Sequence, residues 1–129
     1  MTRPIKAYVP PGQTGPLGEF LPVLDEKLRH KLLRQIFRLS QIHLCELKEP
    51  HFKHFVLEKY NQLYELREKS KVLARIIFTI RDGDIILLAP FIKHQPRDTM
   101  KALDQSLRML ADIRNDPKFA VNMKWEEFL

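Results

Sequence analysis

The chain of 129 residues contains one cysteine, one tryptophan and four glycines. A lone thiol, Cys45, excludes an intrachain disulfide and any zinc site built from several cysteines, and it suits a reducing compartment. Long apolar runs are missing too. The longest, IILLAPFI, is far below the roughly 20 residues that a membrane helix needs, and the opening MTRPIKAYVPPGQTG has no stretch fit for a signal peptide. The expectation is a soluble cytoplasmic protein with no membrane partner. Repeats and low-complexity segments are absent. A chain of this length buries a real core without metal or disulfide staples, and it is read as one domain, 1–117, with a C-terminal tail, 118–129.

Positive charge is in excess. Twenty-two Lys and Arg against sixteen Asp and Glu give a net +6. That balance is compatible with a polyanionic partner, nucleic acid being the commonest. It also serves solubility alone, so charge by itself leaves the partner open.

Hydrophobic periodicity divides the chain. Ile5, Ala7 and Val9 alternate with Lys6 and Tyr8, predicting a short strand, and PPGQTGP predicts a loop. Leu21, Leu24, Leu28, Leu32, Ile36 and Leu39 recur at helical spacing, with Leu33 and Phe37 widening the apolar face. Pro22 lacks a donor for mid-helix, and Asp25 is a good N-cap. The spacing therefore predicts a short helix ending near Val23 and a longer one from Glu26 to about Ile42. Lys27, Arg29, Lys31, Arg34 and Arg38 crowd the longer helix's outer surface, as a solvated face or a nucleic-acid contact.

From Leu63 the period becomes two. LYELR and LARIIFT read as strands joined by the polar connector EKSK, and Asp82-Gly83 is a hairpin signal. IILLAPFIK is apolar on both faces, as in a central strand, and Pro90 marks a bulge or an edge. A last helix carries Met100, Leu103, Leu107 and Leu110 as its stripe and stops before Pro117. The tail, with Phe119, Trp125 and Phe128, has no assigned place. The fold class is α+β: a small antiparallel sheet, made of the N-terminal strand and a three-stranded meander, packed with two N-terminal helices and a C-terminal helix.

Arg67 and Arg75 stand out because an apolar strand pair does not need them. Both have the parity opposite to Tyr64, Leu66, Ile76 and Phe78, so they share the other sheet face. Pairing Tyr64 with Phe78 sets the two guanidinium groups across from one another, which is unfavourable without an anion. A bound phosphate meets that need, and so does a carboxylate such as Glu65 or Glu68. Lys93 and His94 close the last strand; imidazole is the side chain that titrates nearest neutrality. His51 and His54, three apart without a third ligand, do not make a metal site.

Read together, Leu63-Tyr64-Glu65-Leu66-Arg67, the polar loop, Arg75-Ile76-Ile77-Phe78, the Gly83 turn, LLAPFIKH from Leu87 to His94, Pro96 and the charged final helix resemble the RelE/HigB-type toxins of type II toxin–antitoxin pairs. The nearest look is their phage-derived branch. GPLGEFLPVLDEKLRHKLLRQI and HFKHF are similar to that branch as well. The resemblance implies a RelE-like fold and a ribosome-associated mRNA endoribonuclease that uses no metal and no cofactor. Its implied partners are the ribosome, mRNA and a cognate antitoxin, of helix-turn-helix type. Metal-free RNA cleavage needs a base, an acid and cations for the phosphorane. Arginine, always protonated, serves only as the cation. The resemblance assigns Arg67 and Arg75 to the scissile phosphate, Lys93 and His94 to proton transfer, and Lys53, His54, Lys69, Lys71 and Phe78 to RNA binding. His94 stands where a second lysine is usual, and Phe78 where many relatives have tyrosine. Those departures leave a second expectation: a non-catalytic or gyrase-directed toxin of the same fold, or a phage or mobile-element binding protein that keeps the antitoxin-binding surface.

Overall fold

Two positive-φ residues set the central hairpin. Asp82 (φ 51°) and Gly83 (φ 84°) form the two-residue turn whose twist suits antiparallel strands. They fold β4 (Leu73–Arg81) back onto β5 (Asp84–Lys93). The computed structural model describes residues 3–128. The remaining elements are β1 (Ile5–Tyr8), α1 (Pro16–Phe20), α2 (Glu26–Gln41), β2 (Phe52–His54), β3 (Leu63–Lys69), α3 (Pro96–Asn115) and β6 (Ala120–Asn122). A single 3-10 turn, Leu21–Val23, joins the first two helices through Pro22. Asp25 caps α2 as expected, accepting from the Leu28 N–H at 2.9 Å.

The sheet has six strands in the order β2-β3-β4-β5-β1-β6. The meander and the N-terminal strand are where periodicity placed them. β5 is central, between β4 and β1, and β1 runs parallel to it with Ile5 opposite Ile85, so the sheet is mixed rather than, as expected, antiparallel throughout. At Pro90 the β4–β5 register slips: Ile76 faces Pro90 while Phe78 faces Leu87, so Leu88 and Ala89 bulge against Ile77. A proline that cannot donate to the ladder is accommodated by such a bulge. β2 and β6 complete the two edges, and β6 pairs antiparallel with β1.

Two apolar layers sandwich the sheet. On one side, Leu28, Leu32, Ile36 and Leu39 of α2 pack on Leu66, Ile76, Phe78 and Ile85, with Phe128 of the tail closing the layer. On the other, Ala102, Leu103, Leu110 and Ile113 of α3 pack on Leu63, Ile77, Ile86 and Leu88. Two expected core residues are outside these layers. Met100 is 46% exposed because α3's inward line runs through Ala102, Leu103, Ser106, Leu110 and Ile113. Phe37 is 56% exposed, on the flank of α2, where it meets the Trp125 ring edge-on at 6.3 Å. Among the described residues, no helix is long and apolar enough to cross a membrane.

Candidate anion-binding site on the sheet face

The β3–β4 register pairs Tyr64 with Phe78 and Arg67 with Arg75. Alternation along each strand then sorts the side chains. Tyr64, Leu66, Ile76 and Phe78 turn to α2, and Glu65, Arg67, Lys69, Leu73, Arg75 and Ile77 take the α3 side. Successive cross-strand rows on that side read Lys53-Glu65-Ile77, then Arg67-Arg75-Phe91, then Lys69-Leu73-Lys93. The apolar layer under α3 reaches Ile77 and Phe91. Beyond them the same face becomes cationic.

Glu65 lies at the join between apolar and cationic rows. Its side chain is 1% exposed, and its Oε1 accepts from Arg67 Nε at 2.8 Å. Arg67 also donates from Nη1 to Glu49 Oε1 at 2.8 Å, but the Glu49 side chain is 69% exposed. Glu65 Oε2 and Arg75 Nε are both buried without a hydrogen-bond partner among the described residues. Burial holds the Arg75 pKa below the ordinary arginine value, with Arg67 pushing the same way and Glu65 opposing. The anion demanded by two facing arginines is thus supplied in part from within. Above this cluster is an open depression of about 360 Å³, lined by Pro50, His51, Arg67, Glu68, Lys69, Leu73 and Arg75.

The remaining expected residues divide between the two faces. Lys93 is half-buried opposite Leu73, in the third row. His94 is exposed just past β5, and its backbone N–H donates to Asp98 Oδ2 at 2.8 Å. That bond and a second from the Gln95 N–H hold the Asp98 carboxyl below its usual range. Lys53 is exposed opposite Glu65, its ammonium 5.3 Å from the Phe55 ring centre. Lys69 and Lys71 are exposed at the β3–β4 connector, where the Lys69 carbonyl accepts from Lys31 Nζ at 3.0 Å. His54 belongs to the opposite face. Its ring stacks on Tyr64 at 4.4 Å, and Tyr64 stacks on Phe78 at 5.3 Å. Phe78 is fully buried under α2, so its ring offers no surface to an RNA base. Glu49 was not among the expected residues; Glu65 was expected as one alternative carboxylate for Arg67, and the two are paired, with Glu65 buried rather than at the sheet surface. Parity did carry a signal for Glu65, which lies two residues from Arg67 on the same strand face.

Residues 19–114 match a family model described as phage derived protein Gp49-like (DUF891). The chain belongs to this family. The Gp49-like family is a toxin-like family of toxin–antitoxin systems, which places the α+β fold described above in a toxin context. The match begins in α1 and ends near the close of α3, so it includes the whole Gp49-like meander and every residue of the arginine cluster. No curated protein and no solved structure matches the chain.

Proposed function

We propose that this Gp49-like chain is the toxin of a type II toxin–antitoxin pair and cuts mRNA on the ribosome without a metal. The observation that carries the reading is the run of Arg67, Arg75, Lys69 and Lys93 in two adjacent rows of one sheet face, with Arg67, Lys69 and Arg75 lining an open depression. Arg67 and Arg75 bind the scissile phosphate and stabilise the charge that develops on it. Glu49, being exposed, swings off Arg67 Nη1 when a phosphate oxygen takes that position. Lys93 and His94, at the end of β5, serve the proton transfers to and from the ribose and the leaving oxygen. Lys53 and Lys71 flank the strand's path, and a cognate antitoxin silences the protein. Adding the protein to a translation extract and mapping message ends tests this. New ends with wild type that disappear with Arg75→Ala are expected; intact messages in the presence of folded wild type would refute it.

A second reading is favoured by Glu65 and Phe78. An arginine pair already facing an internal carboxylate, with Phe78 sealed in the core on the opposite face, suits a toxin-fold protein that binds without cutting. Growth arrest with DNA damage and intact mRNA selects the gyrase-directed form. Harmless overexpression selects a binding protein.

A further inference from the structure

We infer that Glu65 sets the charge selectivity of the arginine pair, making it a site for a singly charged phosphodiester rather than for a doubly charged terminal phosphate. This deepens the phosphate-binding part of the proposed function and rests on it.

The argument begins with which charges are fixed. Arg67 and Arg75 face each other across β3 and β4, and Glu65 lies next to them on the same face, bonded to Arg67 Nε at 2.8 Å. Two positive charges and one negative leave these three side chains at +1; Lys93, half-buried in the next row opposite Leu73, does not line the depression. Glu65 cannot turn out to water, because its side chain is 1% exposed and packed in the row of Ile77. The other carboxylates near the depression are not held in this way. Glu49 is 69% exposed and free to leave. Glu68 lines the rim with Lys69, opposite in sign, and is bonded to Gln35 Nε2 at 3.0 Å with the His51 ring 3.7 Å away.

Unmatched charge in a half-buried place is costly, since desolvation outweighs attraction unless the charges balance and the hydrogen bonds are met. A diester anion brings −1 and closes the cluster to neutrality. Its oxygens are acceptors suited to the guanidinium groups of Arg67 and Arg75, which line the open depression. A dianion leaves the cluster negative beside a buried carboxylate whose Oε2 is without a partner. Internal positions of an RNA chain are monoanionic diesters, and chain ends with a terminal phosphate are dianionic near neutral pH. The fixed carboxylate therefore directs the pair to the interior of a strand. Glu65 acts through the arginines and is a positioning residue.

The test uses dimethyl phosphate and methyl phosphate, which differ by one charge and one methyl group, titrated at pH 7.5 while the arginine Nε–H signals are followed. Wild type is expected to bind dimethyl phosphate more tightly than methyl phosphate. Glu65→Gln keeps the side-chain shape and the acceptor for Arg67, and it should move the ratio toward methyl phosphate by about fivefold or more. That factor is the effect of one unit charge a few ångströms away even in a water-like dielectric. Glu65→Asp, which keeps the charge, should return the ratio toward the wild-type value. A wild-type affinity for methyl phosphate equal to or above that for dimethyl phosphate overturns the inference, and decides it alone if Glu65→Gln does not fold. An unchanged ratio in Glu65→Gln, or no response of either arginine to either probe, also overturns it. Message cleavage with an unchanged ratio would leave the nuclease reading standing without this inference. A shifted ratio with no cleavage would leave the inference standing without the nuclease.

Discussion

Arg67 holds two carboxylates at the same distance, and this permits a controlled measurement of what burial does to an ion pair. Its Nε and Nη1 lie 2.8 Å from Glu65 Oε1 and Glu49 Oε1 respectively. The two acids differ in exposure, 1% against 69% of the side chain. An exposed pair gains little, because water screens it and two mobile side chains must be ordered; such pairs contribute about 0 to 1 kcal/mol. Removing one member of a buried pair strands its partner's charge and costs about 3 to 5 kcal/mol. Glu65→Ala would also leave Arg75 facing Arg67 with only the exposed Glu49 as a bonded anion. Because Arg67 itself keeps some contact with water, the lower end applies, about 3 kcal/mol. For a chain of this size that lowers the melting temperature by about 10 °C. Glu49→Ala should change it by about 3 °C or less. Urea denaturation of the wild type and both variants, followed by far-ultraviolet circular dichroism at pH 7, gives the two differences directly. Equal losses, or a larger one for Glu49→Ala, would refute the argument that burial rather than distance sets the contribution.

Two further outcomes follow from other layers of the structure. Tyr8 is buried, its hydroxyl donates to Asp112 Oδ2 at 2.6 Å, and its pKa is pushed up to about 12, burial being the larger cause and Asp112 the second. A folded-state pKa above the unfolded value of about 10 gives stability that is fully present below pH 10 and is lost as pH rises toward 12. Denaturation midpoints between pH 9 and 12 should fall for wild type, and Tyr8→Phe should flatten that fall. Phe128 is 8% exposed in the α2-side layer, so Phe128→Ala should cost about 1.5 to 3 kcal/mol in urea unfolding. No loss would mean that the tail is not part of the core.

What could be read from the residues follows how local each signal was. The helix break at Pro22 and Asp25, the Asp82-Gly83 turn and the Arg67–Arg75 register all depend on neighbours in sequence, and all were legible. β2 and β6 have three residues each, too few for alternation to show, and they exist because longer strands offer them an edge. β6 needs β1, which in turn needs β5, so no local pattern announces it. The inward line of α3 was misread at Met100 because Ala102 and Ser106, which allow close approach to the sheet, are not conspicuous as core residues. At the candidate site, parity placed the two arginines on one face. It did not show that the acid beside them would be sealed in, since that depends on α3 covering Ile77 from far along the chain.

The pairing of β1 with β6 has a practical consequence for handling the protein. Met123 donates its N–H to the Ile5 carbonyl at 3.0 Å, and Ile5 lies opposite Ile85, at the Asp82-Gly83 end of the sheet. The arginine rows are at the other end, near the β3–β4 connector. The chain then passes beside α2, where Trp125 meets Phe37 and Phe128 enters the core on the face away from the arginines. The Ile5 end of β1 is therefore far down the sheet from the cationic depression, and Phe128 is on the face behind it. A label attached near either position leaves the arginine-bearing face uncovered for measurement of what it binds.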